Sequence, residues 1–241
     1  MLRTALLGTA ALMGLALAAP AFAQGSAPDA GPWNGFYAGL NVGYGGGHFN
    51  YPFSNTGAVT GSGTISQAST GVLGGVQAGY NYAVPSTGLV IGLETDFDGA
   101  NINGSTSEAL TTSATTTNGN LTSRINYLGT VRGRVGIPIM GGRLMPYVTG
   151  GFAYAGVNPL TGNLVNGVQS SNTVQTGWTV GGGAEMALKR NITVKVEYLH
   201  VALGDSPVYS ATSSGGAVTA VSNISEQANA NVIRVGLNYH F

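Results

Sequence analysis

Three histidines, His48, His200 and His240, are the side chains whose ordinary titration lies nearest neutral pH. Hydrolytic chemistry needs a nucleophile, a base beside it and a carboxylate that orients the base. His48 has no Ser or acid next to it. Alternation places His200 on an outward face and His240 on an inward one. The three fall on separate parts of the chain, so the sequence reads as a non-enzyme. Glu94, Asp96 and Asp98 are spaced two apart and share one strand face. That spacing suits either a hard cation or ion pairing with Arg132 and Arg134 of the following segment, and ion pairing is preferred. Gly45-Gly46-Gly47 and Gly181-Gly182-Gly183 lack the Lys and the following helix of a phosphate loop; glycines that relieve crowding in a strand wall explain them better. With no Cys, thiolate chemistry, disulfides and zinc–thiolate sites are excluded. No cofactor and no metal is expected.

Such a set of residues needs elements to position it. The chain has 241 residues, 40 Gly, and nine charges of each sign, only 7% of the total. An average soluble domain carries roughly 25% charged residues, so an ordinary water-exposed surface is not available. Disorder is excluded by the 43% hydrophobic content. The zero formal net charge gives no polybasic patch, which argues against nucleic acid as a partner. After residue 23 Gly, Ser, Thr and Asn interrupt every apolar stretch, which excludes membrane-spanning helices.

Residues 1–23 read as a signal peptide. Arg3 precedes an apolar run from Ala5 to Ala19, and Ala21 and Ala23 fit the small-residue cleavage rule. Residues 24–241 are expected to form one exported domain. They alternate with period two in eight segments: 36–44, 72–82, 89–98, 124–137, 147–154, 178–189, 192–198 and 233–241. Connections alternate too. Pro85 to Gly88, Pro138 to Gly142 and Lys189 to Asn191 are tight turns, whereas Gly45–Thr70, Gly99–Thr122, Gly156–Gln175 and Gly204–Gln227 are long and rich in Ser, Thr, Asn and Gly. An even number of ~9–11-residue strands with short turns at one end and long loops at the other predicts an all-β fold. The expected architecture is an eight-stranded antiparallel up-and-down transmembrane β-barrel with four long extracellular loops and three short periplasmic turns. It implies the outer membrane of a Gram-negative bacterium.

Alternation alone does not say which face is inside, since a soluble barrel would bury the apolar one. Three features favour apolar-out. Tyr44, Phe97, Tyr127, Tyr154, Trp178 and Tyr198 all lie beside the long loops, as an interfacial girdle should. The polar face carries Glu94, Asp96, Asp98, Glu185 and Glu197 together with Arg124, Arg132, Arg134, Lys195 and Arg234, five acids and five bases that can neutralise one another in a lumen. The chain ends Tyr239-His240-Phe241, aromatic on one face.

The stretch Trp33-Asn34-Gly35-Phe36-Tyr37-Ala38-Gly39-Leu40-Asn41-Val42-Gly43-Tyr44 closely resembles the first strand of the outer-membrane immunogenic protein, or surface-antigen, family. These are small OmpA-like barrels, also called porin-family or opacity-type proteins. Pro146-Tyr147-Val148-Thr149-Gly150-Gly151 and Val194-Lys195-Val196-Glu197-Tyr198 are similar to that family's fifth and seventh strands, and the resemblance spans about residues 32–241. It implies that Tyr239 and Phe241 act as an assembly signal read by the outer-membrane insertion machinery after delivery by periplasmic chaperones. It also implies outer-membrane lipids and lipopolysaccharide as neighbours. The ending at Phe241 implies that the separate peptidoglycan-binding domain of larger OmpA relatives is absent.

Eight strands enclose an interior just wide enough for side chains to fill. The leading expectation is therefore a structural surface protein that supports envelope integrity. A narrow, low-conductance channel is the alternative, as is a loop-mediated adhesin or ligand-binding protein. The resemblance implies haem among possible ligands, for which His48 would be the loop-side axial residue.

Overall fold

The computed structural model describes residues 31–57, 61–111, 116–161, 173–204, 206–214 and 217–241; the expected signal peptide, residues 1–23, lies outside them. A 3-10 turn at Gly31–Trp33 leads into β1 (Gly35–Gly57), β2 (Gly61–Ala83), β3 (Val90–Thr111), β4 (Thr116–Gly136), β5 (Leu144–Thr161), β6 (Thr173–Lys189) and β7 (Ile192–Leu203). β8 (Ser206–Ser214) and β9 (Ala217–His240) complete the chain. Neighbours in the wall run β1 to β7 and then β9, all antiparallel, and β9 pairs back onto β1 from Tyr37↔His240 to Leu40↔Leu237 and beyond. Eight strands thus close a barrel, which removes the unpaired edges an open sheet would carry. β8 takes over from β7 along the upper part of β9.

Period-two alternation becomes inside and outside. On β3, Glu94, Asp96, Asp98, Ala100 and Ile102 are buried while Ile91, Leu93 and Phe97 are exposed. On β9, Arg234, Asn238 and His240 are buried while Ile233, Val235, Leu237 and Tyr239 are exposed. The outward face is therefore an apolar band, with Leu40 and Val42 each 64% open. No water-facing wall of a barrel would hold so many aliphatic residues in rows; this band fits hydrocarbon.

The long connections carry strand for much of their length. β1 and β2 pair up to Asn55↔Gly61, β3 and β4 up to Thr111↔Thr116, and β8 and β9 up to Ser214↔Ala217. β1 also pairs with β9 as far as Gly57↔Ala220, so the wall itself extends beyond the girdle. Ser- and Thr-rich composition read as loop because turns share it. Thr is also β-branched, and two flanking ladders let such residues continue as strand. The β5–β6 connection is strand to Thr161 and again from Thr173, with 162–172 outside the described residues.

Two girdle tyrosines have a packing role as well. Tyr127 lies over Gly156 and Tyr154 over Gly129, each pair directly opposite in the β4–β5 ladder. A Cβ at either glycine would overlap the ring. Flat aromatic cover of a cross-strand glycine fills the gap that the missing side chain leaves.

Candidate functional site: a barrel lumen closed in three tiers

The middle tier is ionic. Glu94 on β3 is its hub. Its carboxylate accepts from Lys195 Nζ of β7 at 2.7 and 2.8 Å, from the Arg132 and Arg134 guanidiniums of β4 and from the Tyr37 hydroxyl of β1 at 2.7 Å. Arg132 also reaches Asp96 at 2.9 Å and Glu197 at 3.0 Å. Arg234 of β9 donates to Asp96 at 2.8 Å, Asp98 at 3.0 Å and Glu197 at 2.7 Å. Arg134 turns the other way, to Glu185 of β6 at 2.6 Å, and lies 4.2 Å above the Tyr147 ring of β5. Gln77 of β2 donates to Asn238, whose amide donates to Glu185 at 2.8 Å. Every wall strand therefore supplies a side chain to one hydrogen-bonded cross-brace. Arg132, Lys195 and Glu185 have no exposed surface, so each charge depends on its partners rather than on water.

Nine of the ten charged residues singled out from the sequence meet in this tier: Glu94, Asp96, Asp98, Arg132, Arg134, Glu185, Lys195, Glu197 and Arg234. Arg124 does not. It is exposed, while its neighbour Ile125, expected on the lipid face, is buried in the lumen. The cause is local. Both ladders of β4 shift register between Ile125 and Tyr127, which resets the alternation. Arg124→Ala should accordingly change stability by no more than about 0.5 kcal/mol, as for other surface changes; a urea titration of the folded barrel checks it.

Removing Arg124 leaves five acids and four bases in the tier. His240 is the further group that joins them. Its Nε2 lies 3.5 Å from Glu185 and 3.1 Å from the Thr193 hydroxyl, with Tyr37 stacked at 5.2 Å. Tyr37, Tyr147, Thr130, Gln77 and Asn238 were not singled out beforehand. The signal was present for Thr130 and Asn238, which share the inward parity of Arg132 and Arg234; Tyr37, Gln77 and Tyr147 lie on strands without a charged residue and could be placed only by alternation among their own neighbours.

The upper tier, on the hairpin side, is apolar: Leu73, Ile102, Ile125, Leu128, Leu199, Val201 and Val232 pack with small Ala side chains in one buried cluster. Sequence reasoning missed it because the inward face was read as polar throughout. The lower tier is Trp33 against Val90 and Met145. The Trp33 indole N–H donates to the Gly142 carbonyl of the β4–β5 turn at 2.6 Å, tying the 3-10 turn across the periplasmic mouth.

The remaining candidates lie outside the lumen. Tyr44, Phe97, Trp178 and Tyr198 are exposed on the outer face, and Tyr127 and Tyr154 are half-buried over their glycines. Just beyond this ring the outward face turns polar, with His48, Asn101, Asn229 and Asn231 exposed. His48 sits within the β1–β2 hairpin opposite Ala68. His200 faces outward against Asn231 at 2.9 Å and beside Trp178. Tyr239 and Phe241 pack edge to face, 5.3 Å apart, on the lipid side of the final strand.

A closed antiparallel wall, apolar outside and ion-paired inside, with an aromatic ring where the outer face turns polar, defines a transmembrane β-barrel of the outer-membrane type. The model for an outer membrane protein beta-barrel domain matches residues 9–241, and the chain belongs to that family. It is 38% identical over 228 residues to the 31 kDa outer-membrane immunogenic protein of Brucella melitensis, covering 90% of this chain and 89% of that one. It is 32% identical over 115 residues to the 25 kDa outer-membrane immunogenic protein of Brucella abortus, covering 48% of this chain and 46% of that one. Among solved structures, OprG from Pseudomonas aeruginosa superposes with a TM-score of 0.54 over 88% of this chain and 98% of that one, at 10% identity. The protein resides in the outer membrane, as its Brucella relatives do.

Proposed function

We propose that the protein is a closed, non-enzymatic structural barrel that anchors its extended hairpins at the cell surface and supports envelope integrity. One observation carries this reading: among the described residues three buried groups lie in succession along the lumen, with fully buried Arg132 clamped between Glu94, Asp96 and Glu197, an apolar cluster above and Trp33 below. The similar Brucella proteins are named as immunogenic, which supports exposure of the hairpins. Tyr239 and Phe241 supply the assembly signal in this reading, and lipopolysaccharide surrounds the outer half of the wall. The test is single-channel conductance of the refolded barrel in a planar bilayer, with heat-modifiable gel mobility as the folding control. The wild type should be silent. Arg132→Ala should be silent too, because the apolar tier still excludes water. Steps should appear only when Leu128→Ala and Leu199→Ala are added. In cells, deletion should raise detergent sensitivity; unchanged sensitivity counts against the envelope role.

A narrow channel is the second reading. Asp96 Oδ1, Asp98 Oδ1 and Asn41 Oδ1 are buried without a hydrogen-bond partner among the described residues, a polar lining where water is at home. Discrete steps from the wild type, enlarged by Arg132→Ala alone, would make the ion pairs a gate and put this reading first.

A further inference from the structure

The lumen leaves few charges for the outer surface, and their placement is uneven. Arg143 in the β4–β5 turn and Lys189 and Arg190 at the β6–β7 turn are exposed, and no carboxylate among the described residues pairs with them. The two turns are neighbours: Ala187 N–H donates to the Arg143 carbonyl at 2.8 Å, and Leu144 pairs with Met186. All three cations therefore gather on one arc of the periplasmic rim. Aliphatic side chains flank them. Ile139 is 43%, Leu188 54% and Met140 74% exposed. Met140 occupies the tip of its turn at φ 54°, a left-handed conformation unfavourable for a long side chain.

We propose that this arc binds an anionic phospholipid of the periplasmic leaflet, its phosphate held by Arg143, Lys189 and Arg190 and its acyl chains lying against Ile139, Met140 and Leu188. Charge complementarity selects the headgroup, since fixed cations at a membrane surface attract anionic lipid. The arc faces hydrocarbon on one side and water on the other, as a bound lipid does. A peptidoglycan strand would use the cations but leave the aliphatic flank without a partner. Arginine adds geometry, because its planar fork matches two phosphate oxygens.

The test is native mass spectrometry of the full barrel released from nanodiscs of equimolar phosphatidylglycerol and phosphatidylcholine. Phosphatidylglycerol should be retained in at least about fivefold excess, the worth of one surface cation, and the R143Q/K189Q/R190Q variant should bring that ratio down to about one. Met140→Ser should weaken retention of both lipids. In the wild type, 0.5 M NaCl should abolish the preference by screening, a readout that needs no variant to fold. Equal retention of the two lipids, or a preference untouched by the triple variant and by salt, overturns the proposal. Equally effective competition by inorganic phosphate would reduce the site to a bare anion site and overturn the lipid assignment. Cosedimentation with purified sacculi that requires the three cations, without any lipid preference, would assign the arc to peptidoglycan instead.

Discussion

Glu94→Gln should destabilise the barrel by about 3–5 kcal/mol, the cost of leaving a buried cation without its counter-charge. Lys195 is the reason. Its ammonium donates to both oxygens of Glu94 and is fully buried, so a neutral amide leaves it one weak hydrogen-bond acceptor, with the Glu197 carboxylate of the same strand face as the remaining negative charge nearby. Arg132 is less affected, because Asp96 and Glu197 still hold it. The loss should appear in urea titrations of refolded protein followed by heat-modifiable mobility. Adding Lys195→Met should restore part of it, because the uncompensated cation goes with the side chain. A Glu94→Gln cost below about 1 kcal/mol would mean that water reaches Lys195 and that the middle tier is not sealed.

Val235→Arg should cost about 2–4 kcal/mol, the penalty for a basic residue near the bilayer midplane of an outer-membrane barrel. Its immediate neighbour Arg234 is 1% exposed and triply paired, whereas Val235 is 45% exposed among other aliphatic residues. Val235 pairs with Val42 on one side and Val196 on the other, with Ile233 and Leu237 two residues away on the same face. A guanidinium there has no carboxylate to meet. The measurement is equilibrium unfolding from lipid vesicles, with Val235→Thr as a milder comparison. A cost near zero would mean that this face meets water, and the apolar-out arrangement would fail. Together the two variants separate the two sides of one strand: a charge is required inside and forbidden outside.

The sequence by itself determined the membrane-spanning part of eight strands, most of their faces and the membrane setting; that the Ser- and Thr-rich connections continue as strand, with β8 among them, came from pairing across the wall. Strand parity is local, so Glu94, Asp96 and Asp98 share a face whatever they later touch, and the same holds for Lys195 with Glu197 and for Arg132 with Arg134. Aromatic residues beside long connections and a charge-poor composition follow from the solvent rather than from the packing. Only the tertiary structure decided what local period cannot carry. Arg124 and Ile125 exchanged sides because two ladders slip beside them. Which cation meets which acid depends on strands that approach across the lumen, as with Arg234 and Asp96, 138 residues apart. Trp33 reaches across the turn side of the lumen to a partner 109 residues away. The apolar upper tier arises where inward parity outlasts the polar residues, and only closure of the wall turns Leu73, Leu199 and Val232 into one packed cluster. Alternation acts between neighbours, whereas register and closure of the wall act over the whole chain; the faces were therefore largely legible and the contacts across the lumen were not.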